Sequence, residues 1–352
     1  MAGHSVTGFS PPAAGVVALS ANESPWAPDS AVLRAIETRA RTLHRYPDPS
    51  SARLRAVLAD RFCVRAERVL IGHGASELLW AIALARLGDG APFVFPAHSY
   101  YAYPALAGLT GADPVPVPLN SLSANDLPAM ANAATGAALV CVCNPNNPTG
   151  GACPPEAIRR LLGELPSSVP VVFDEAFREF NRLADQAGEN ELLQSFPNTV
   201  ILRTFSKAYR LAGARIGYAI FGSDELAAEV DAVRPTFPVS SLAEGAALAA
   251  FGDPAGLAIH VDAAISVREE LRAGLSALGF EVAPSEGNFV WAVPPDGRAD
   301  DELGRRLAGA GIQVAVGSEL CGANGLRITA GTTAEAEQAI DALRRVLEGA
   351  GV

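Results

Sequence analysis

The chain predicts an α/β fold: a mainly parallel seven-stranded sheet between helices, followed by a small α+β C-terminal domain. Three observations carry this expectation. Seven short apolar runs (VLIGHG, PFVFP, DPVPVPL, ALVCVCN, PVVFDEA, TVILRTF and RIGYAIF) alternate with helical stretches up to about residue 222. Several of them, ALVCV and PVVF above all, are apolar without alternation, as in strands covered on both faces. The last hundred or so residues change character: FEVAPSEGNFVWAVP, IQVAVGSE and GLRITAGT read as short strands, and TAEAEQAIDALRRVLEG as a closing amphipathic helix.

In chain order, residues 1 to about 30 are rich in Pro, Ala, Ser and Gly and read as an extended arm, with one short apolar stretch at Val16 to Leu19. A helix is expected from Ser30 to Leu43, then the loop RYPDPSS, in which Tyr46 is the only bulky residue. The strand–helix alternation follows. From about 240 to 275, LAEGAALAAF and IHVDAAISVREELRAGLSAL have apolar residues at helical spacing and form one or two long helices. The expected division is 1–45 for the arm and the helix joining the small domain, 46–245 for the large domain, and 246–352 for the small one.

Composition narrows the function. With 352 residues, 49% of them hydrophobic and 18% charged, the chain has ample core-forming material. A net charge of -11 and the absence of a basic run argue against nucleic acid or an anionic membrane as partner. Five scattered cysteines make no disulfide framework, and no paired Cys or His spacing suggests a metal. Cys141 and Cys143 share one face of a strand as small apolar fillers. No leader-like N-terminus and no run of about 18 apolar residues is seen, so a cytoplasmic location is expected.

The chemistry-bearing residues cluster at strand ends. Lys207 follows the strand Thr199 to Phe205, and a lysine on the lip of a buried strand has its pKa pushed down, which makes it nucleophilic toward an aldehyde. Asp174 and Glu175 end VPVVFDEAF, where open α/β sheets place their ligands. LVCVCNPNNPTGG runs a buried strand into a loop whose amides, Asn144, Asn146 and Asn147, are held by prolines. In VLIGHGASE the amides of Gly74, Ala75 and Ser76 open a helix and form an anion site. Each signal is common on its own. In this order they describe one ligand, with a phosphate for those amides, Ser206 and Arg215, a ring nitrogen for a carboxylate, a phenolic oxygen for an amide and a carbonyl for a lysine. That ligand is pyridoxal 5'-phosphate.

With these residues in place, the chain resembles the fold-type I pyridoxal-phosphate enzymes, and within them the histidinol-phosphate aminotransferase-like branch of the class I/II aminotransferases. The resemblance runs through LSANESPWAP, RYPDP, GHGASE, SYYAYPALA, NPNNPTG, DEAF, SKAYRLAGARIGY, NFVW and LRITAGT. Asp174 precedes Lys207 by 33 residues and Arg215 follows it by eight, as in that family. The resemblance implies that Lys207 holds the cofactor as a Schiff base and shuttles the substrate proton. It implies that Asp174 keeps the ring nitrogen protonated, Asn147 donates to O3', and Tyr100 stacks on the ring. Ala75, Ser76, Thr204, Ser206 and Arg215 would hold the phosphate, and Tyr46 would reach the neighbouring active site of a homodimer. Arg327 would clamp the anionic end of an amino donor, and Asn22 would add a contact from the arm.

Three departures bear on specificity. Phe177 in DEAF replaces a tyrosine that would donate to O3', which leaves Asn147 alone there. IQVAV places Ala315, or a neighbour, where the histidinol-phosphate enzymes carry a second arginine. Arg210 stands where a glycine is usual after SKAY, and reads as a cation near the substrate or as a solvent-facing side chain. The activity implied is transfer of an amino group from an amino acid or amino-phosphate donor, histidinol phosphate or an aromatic or specialised amino acid, to a 2-oxo acid. The alternative is a decarboxylase of the threonine-phosphate type, which also shows DEAF. A cofactor-binding regulator finds no support, because the chain has no DNA-binding extension and keeps Lys207.

Overall fold

A computed structural model describes residues 15–121, 123–184 and 186–349. The first fourteen residues of the expected arm lie outside them. Among the described residues there are twelve strands in two sheets: β1 (Val17–Leu19), β2 (Val69–Gly72), β3 (Pro92–Pro96), β4 (Asp113–Val117), β5 (Leu139–Cys143), β6 (Val171–Asp174), β7 (Thr199–Thr204), β8 (Gly217–Phe221), β9 (Glu281–Val282), β10 (Phe289–Val293), β11 (Ile312–Val316) and β12 (Leu326–Thr329).

The seven-stranded sheet has the order β2-β8-β7-β6-β5-β3-β4. All its neighbours are parallel except β8, which is antiparallel to both β2 and β7. These are the seven runs read from the sequence, and β2, β5, β6, β7 and β8 are buried at every position. Register aligns Cys143 with Asp174 and Asp174 with Leu202, so the carboxyl ends of β5, β6 and β7 form one edge. Because β8 runs the other way, its amino end reaches the same edge, and Gly217 pairs with both Thr204 and Gly72.

Helices cover both faces. One apolar cluster joins Leu78, Ile82, Tyr103, Leu106, Val172 and Leu202. A second joins Val32, Leu54, Leu58, Ile201, Phe205, Tyr218 and Ala246. The stretch expected to hold one or two helices forms two, Ser241–Phe251 and Pro254–Ala277. The first packs against the helix Ser30–Ala40. The second packs with the five-stranded sheet through Val267, Leu271 and Leu275.

That second sheet has the order β1-β11-β12-β10-β9. It includes one correction to the sequence reading. Val17–Leu19, expected to be part of an unpacked arm, is a strand paired in parallel with β11, and Leu19 is fully buried in the same core as Leu303, Leu326 and Leu343. Three extended residues carry too little periodicity to announce themselves, and the edge of β11 supplies the backbone partners that make them a strand. The closing helix Thr333–Leu347 starts at a capping box, with the Thr332 hydroxyl accepting from the Glu335 amide and the Glu335 carboxylate from the Thr332 amide. Among the described residues no single helix is long and apolar enough to cross a membrane.

Candidate active site

Where the edge of the large sheet faces β12, a cleft of about 400 Å³ opens, a size suited to a small-molecule ligand. Its lining includes most of the residues singled out above: Asn22, Ala75, Ser76, Tyr100, Asn147, Asp174, Phe177, Thr204, Ser206, Lys207, Arg215 and Arg327. Gly74 lies immediately behind. It has φ +73°, and a Cβ there would stand 2.6 Å from the Arg215 Nη2. Tyr46 is not in this cleft. It is 83% exposed and stacks on Phe237 at 4.8 Å.

At one end the donors for an anion converge. The helix Gly74–Arg86 presents the amides of its first turn, and Gly217 approaches so closely that a Cβ would meet the Ala75 nitrogen at 2.4 Å. The Thr204 hydroxyl donates to Ser206 Oγ at 2.9 Å and accepts from the Ser206 amide at 3.1 Å. Arg215 donates to Ser206 Oγ at 3.4 Å and to the Ala212 carbonyl at 3.0 Å. Ser76 Oγ and the Tyr100 hydroxyl lie 3.3 Å apart, so Tyr100 is tied to the same end. Hydroxyls, first-turn amides and a guanidinium that has no carboxylate partner among the described residues fit a phosphate.

In the middle, Asp174 sits at the bottom of the cleft. Burial raises its carboxyl to about 6, while hydrogen bonds from the Tyr103 hydroxyl (3.1 Å) and the Ala176 amide (3.3 Å) oppose that rise. Such a carboxylate favours a cationic partner, because a nearby positive charge offsets its desolvation. Tyr103 was missed at the sequence level in favour of Tyr100. It lies in the same SYYAYPALA segment, in the first turn of the helix Ala102–Thr110, and is completely buried. The available signal is that a buried tyrosine must place its hydroxyl on a partner.

Lys207 faces this from above. Its Nζ donates to the Ala21 carbonyl at 2.9 Å and lies 5.8 Å from the centre of the Phe177 ring. Desolvation lowers its pKa to about 7, helped by the cations Arg327 and Arg215 and opposed by Glu23. An amine in that state is largely available as a nucleophile or base near neutral pH. Phe177 is buried edge-on against Phe289 and contributes an apolar wall.

At the far end stands Arg327, buried on β12, its pKa lowered to about 10 by desolvation. It donates to Asn147 Oδ1 at 2.5 Å and to the Ser20 carbonyl. Its Nε is buried without a partner, a donor left for an acceptor from outside the chain. Asn22 forms the adjoining wall: its amide donates to Thr329 Oγ1 at 3.0 Å, and its own Oδ1 accepts from that hydroxyl at 3.1 Å. Ala315 pairs with Arg327 across β11 and β12, so a side chain at 315 emerges on the same face. Arg210, expected near the substrate or in solvent, is in neither place. Its side chain is buried against Asp29, because the arm folds back over the Lys207 loop and supplies a carboxylate.

A crevice with an anion cradle, a buried carboxylate, a neutral-leaning lysine and an opposed arginine defines a pyridoxal-phosphate enzyme. The sequence matches the family aminotransferase class I and II over residues 14–343, and the chain belongs to that family. It is 41% identical over 329 residues to an aromatic amino acid aminotransferase of Nocardia farcinica, covering 92% of this chain and 89% of that one. It is 35% identical to an aromatic amino acid aminotransferase of Cutibacterium acnes, covering 95% and 93%. The fold is shared with histidinol-phosphate aminotransferase from Sinorhizobium meliloti in complex with pyridoxal-5'-phosphate, at a TM-score of 0.86 and 29% identity, over 95% of this chain and 91% of that one. The protein is therefore an aminotransferase that works with pyridoxal 5'-phosphate and small amino and oxo-acid substrates. These relatives do not favour the decarboxylase alternative.

Proposed function

We propose that the amino donor is an aromatic L-amino acid, whose nitrogen passes to a 2-oxo acid. The observation that carries this reading is the pairing of Arg327 with Ala315. Among the described residues lining the cleft, the cations besides Arg327 are Lys207 and Arg215, both assigned to the cofactor, which leaves the donor end one buried guanidinium, enough for a carboxylate but without a second for a dianionic phosphate. Tyr101 and Leu320 line the same cleft and offer apolar surface for a side chain. The names carried by the relatives at 35% and 41% identity support the same choice.

In this reading the cofactor supplies an aldehyde and an electron-withdrawing ring. Lys207 would hold it and, once released as a free neutral amine, would take the proton from the donor's Cα. Asp174 would hold the ring nitrogen in its protonated form, with Tyr103 keeping the carboxylate in place. Asn147 would offer its amide N–H to O3', since its Oδ1 already accepts from Arg327, a group that only donates. Gly74, Ala75, Ser76, Thr204, Ser206 and Arg215 would hold the phosphate, Tyr100 would face the ring, and Phe177 would exclude water. Arg327 and Asn22 grip the donor carboxylate, and a carboxylate so gripped stays on the product.

We further propose a homodimer in which the exposed Tyr46 reaches the neighbouring cleft, and a cytoplasmic location, supported by five unpaired cysteines. The division at 45 and 245 is retained as a proposal, supported by the separate apolar cores of the two sheets. The test of donor class is a screen of phenylalanine, tyrosine and histidinol phosphate, following conversion of the aldehyde cofactor to its amine form by absorbance. Aromatic donors are expected to convert it at the lowest concentration; preference for histidinol phosphate would refute the assignment.

A further inference from the structure

Arg210 occupies a backbone conformation that favours glycine, with φ +61°. Its side chain is only 6% exposed and does not reach the cleft. Instead it forks onto one segment: Nη1 donates to the Ala27 carbonyl at 2.8 Å and to Asp29 Oδ1 at 3.1 Å, and Nη2 donates to Asp29 Oδ2. A two-pronged guanidinium–carboxylate pair specifies geometry as well as charge. The hydrogen bond from Arg210 is the largest cause holding the Asp29 carboxyl below its ordinary range. His260 closes the far side, with Nε2 3.7 Å from Asp29 Oδ1 and its ring 5.6 Å from that of Trp26.

The two ends of this link matter for the site. On one side, the Arg210 amide donates to the Lys207 carbonyl at 3.0 Å, so the guanidinium grows out of the lysine's own turn. On the other, the segment from Ser20 to Asp29 borders the cleft, which its residues Ala21, Asn22 and Glu23 line. Ser20 accepts from Arg327, Ala21 accepts from Lys207 Nζ, and Asn22 is locked to Thr329 and Asn288. The segment is anchored to the five-stranded sheet through β1 at its start, and through Arg210 to the lysine turn at its end. We propose that Arg210 is a positioning residue: by pinning Ala27 and Asp29 to the Lys207 turn, it sets the strap of residues 20–29, and with it Asn22 and Arg327, over the reacting lysine. The proposal rests on this cleft being the donor site.

The test compares R210G and D29N with the unaltered protein, full length and loaded with cofactor. Glycine suits the backbone at 210, and asparagine keeps the shape of Asp29 while removing its charge. Hydrogen exchange of the peptides spanning 17–29 is expected to rise several-fold in both, as for a segment released at one end. The Michaelis constant for the amino donor is expected to rise about tenfold with kcat changed less than about threefold, since ground-state placement is lost and the chemistry is not. Cofactor affinity is expected to hold, because no phosphate or ring contact is touched. Unchanged exchange and unchanged KM in D29N, or a fall in thermal stability alone, would overturn the proposal; should R210G not fold, D29N decides it. Exchange of the strap is read without turnover, so a strap that loosens while Lys207→Ala still turns over would instead indict the site.

Discussion

Arg327 of β12 and Asn147 of the loop that follows β5 meet at 2.5 Å at the donor end of the cleft, the guanidinium donating to the amide oxygen. One contact thus joins the donor end to the cofactor end. It turns the Asn147 N–H₂ away from Arg327, and it keeps a buried cation partly satisfied until an anion takes its remaining donors. The Arg327→Ala variant is therefore expected to lose both the donor clamp and the orientation of Asn147. Its KM for the aromatic donor should rise by the equivalent of about 2–5 kcal/mol, as when one partner of a buried charge pair is removed. Steady-state kinetics at saturating acceptor measure this; an unchanged KM would put the donor carboxylate elsewhere.

Ala315 lies opposite Arg327 in the strand register, so the Ala315→Arg variant would add a second cation on the same face. A modest loss of stability is expected, about 0.2–1 kcal/mol for two like charges placed across strands. Relative activity should move toward phosphorylated donors and away from phenylalanine. Competition assays with the two donor types check the sign.

The Lys207 amine, with its pKa lowered to about 7, must be neutral to attack the cofactor's aldehyde. Capture of pyridoxal 5'-phosphate by cofactor-free protein should accelerate as pH rises through about 7 and level off above it. The stability effect has the same sign. Between about 7 and the ordinary lysine range the unfolded chain binds more protons than the folded one, so the cost of burying this amine falls as pH rises there. Stopped-flow absorbance from pH 5.5 to 9 tests the first statement; a capture rate still climbing beyond pH 9 would contradict the lowered pKa.

Asp174 behaves in the opposite way. Its carboxyl, raised to about 6 by burial, is neutral in acid, and the folded chain binds more protons than the unfolded one between the ordinary aspartate range and that value. Its penalty is thus fully present above about pH 6 and disappears below the ordinary range, while cofactor affinity requires the ionised form. The Tyr103→Phe variant removes a donor that lowers this pKa. The acid limb of cofactor binding should then move to higher pH, with affinity at neutral pH weakened by about 1 kcal/mol, the worth of one hydrogen bond. Equilibrium titration of the cofactor across pH measures both.

Much of this architecture is readable in one dimension, for a physical reason. A parallel strand buried on both faces must be apolar throughout, so each run identifies itself, and the polar residue that ends it marks the sheet edge where a ligand can sit. Asp174 after VVF, Lys207 after TVILRTFS and the asparagines after LVCVC are all legible by this rule. Lining the cleft beside them, Tyr100 and Arg327 were identified through motif resemblance. The strand of Val17–Leu19 was not legible, since its order comes from β11, far along the chain.

The same divide separates Tyr103 and Arg210 from the residues that were found. A tyrosine among apolar neighbours reads as core until its hydroxyl is seen on Asp174, 71 residues away. An arginine in the loop after Lys207 reads as a substrate-side cation or as solvated until Asp29, 181 residues distant, closes on it. Local order encodes which chemistry the chain carries, because strand burial and turn composition are short-range properties. Which donor meets which acceptor depends on how the two sheets and the strap pack, and close packing joins groups that no sequence spacing relates.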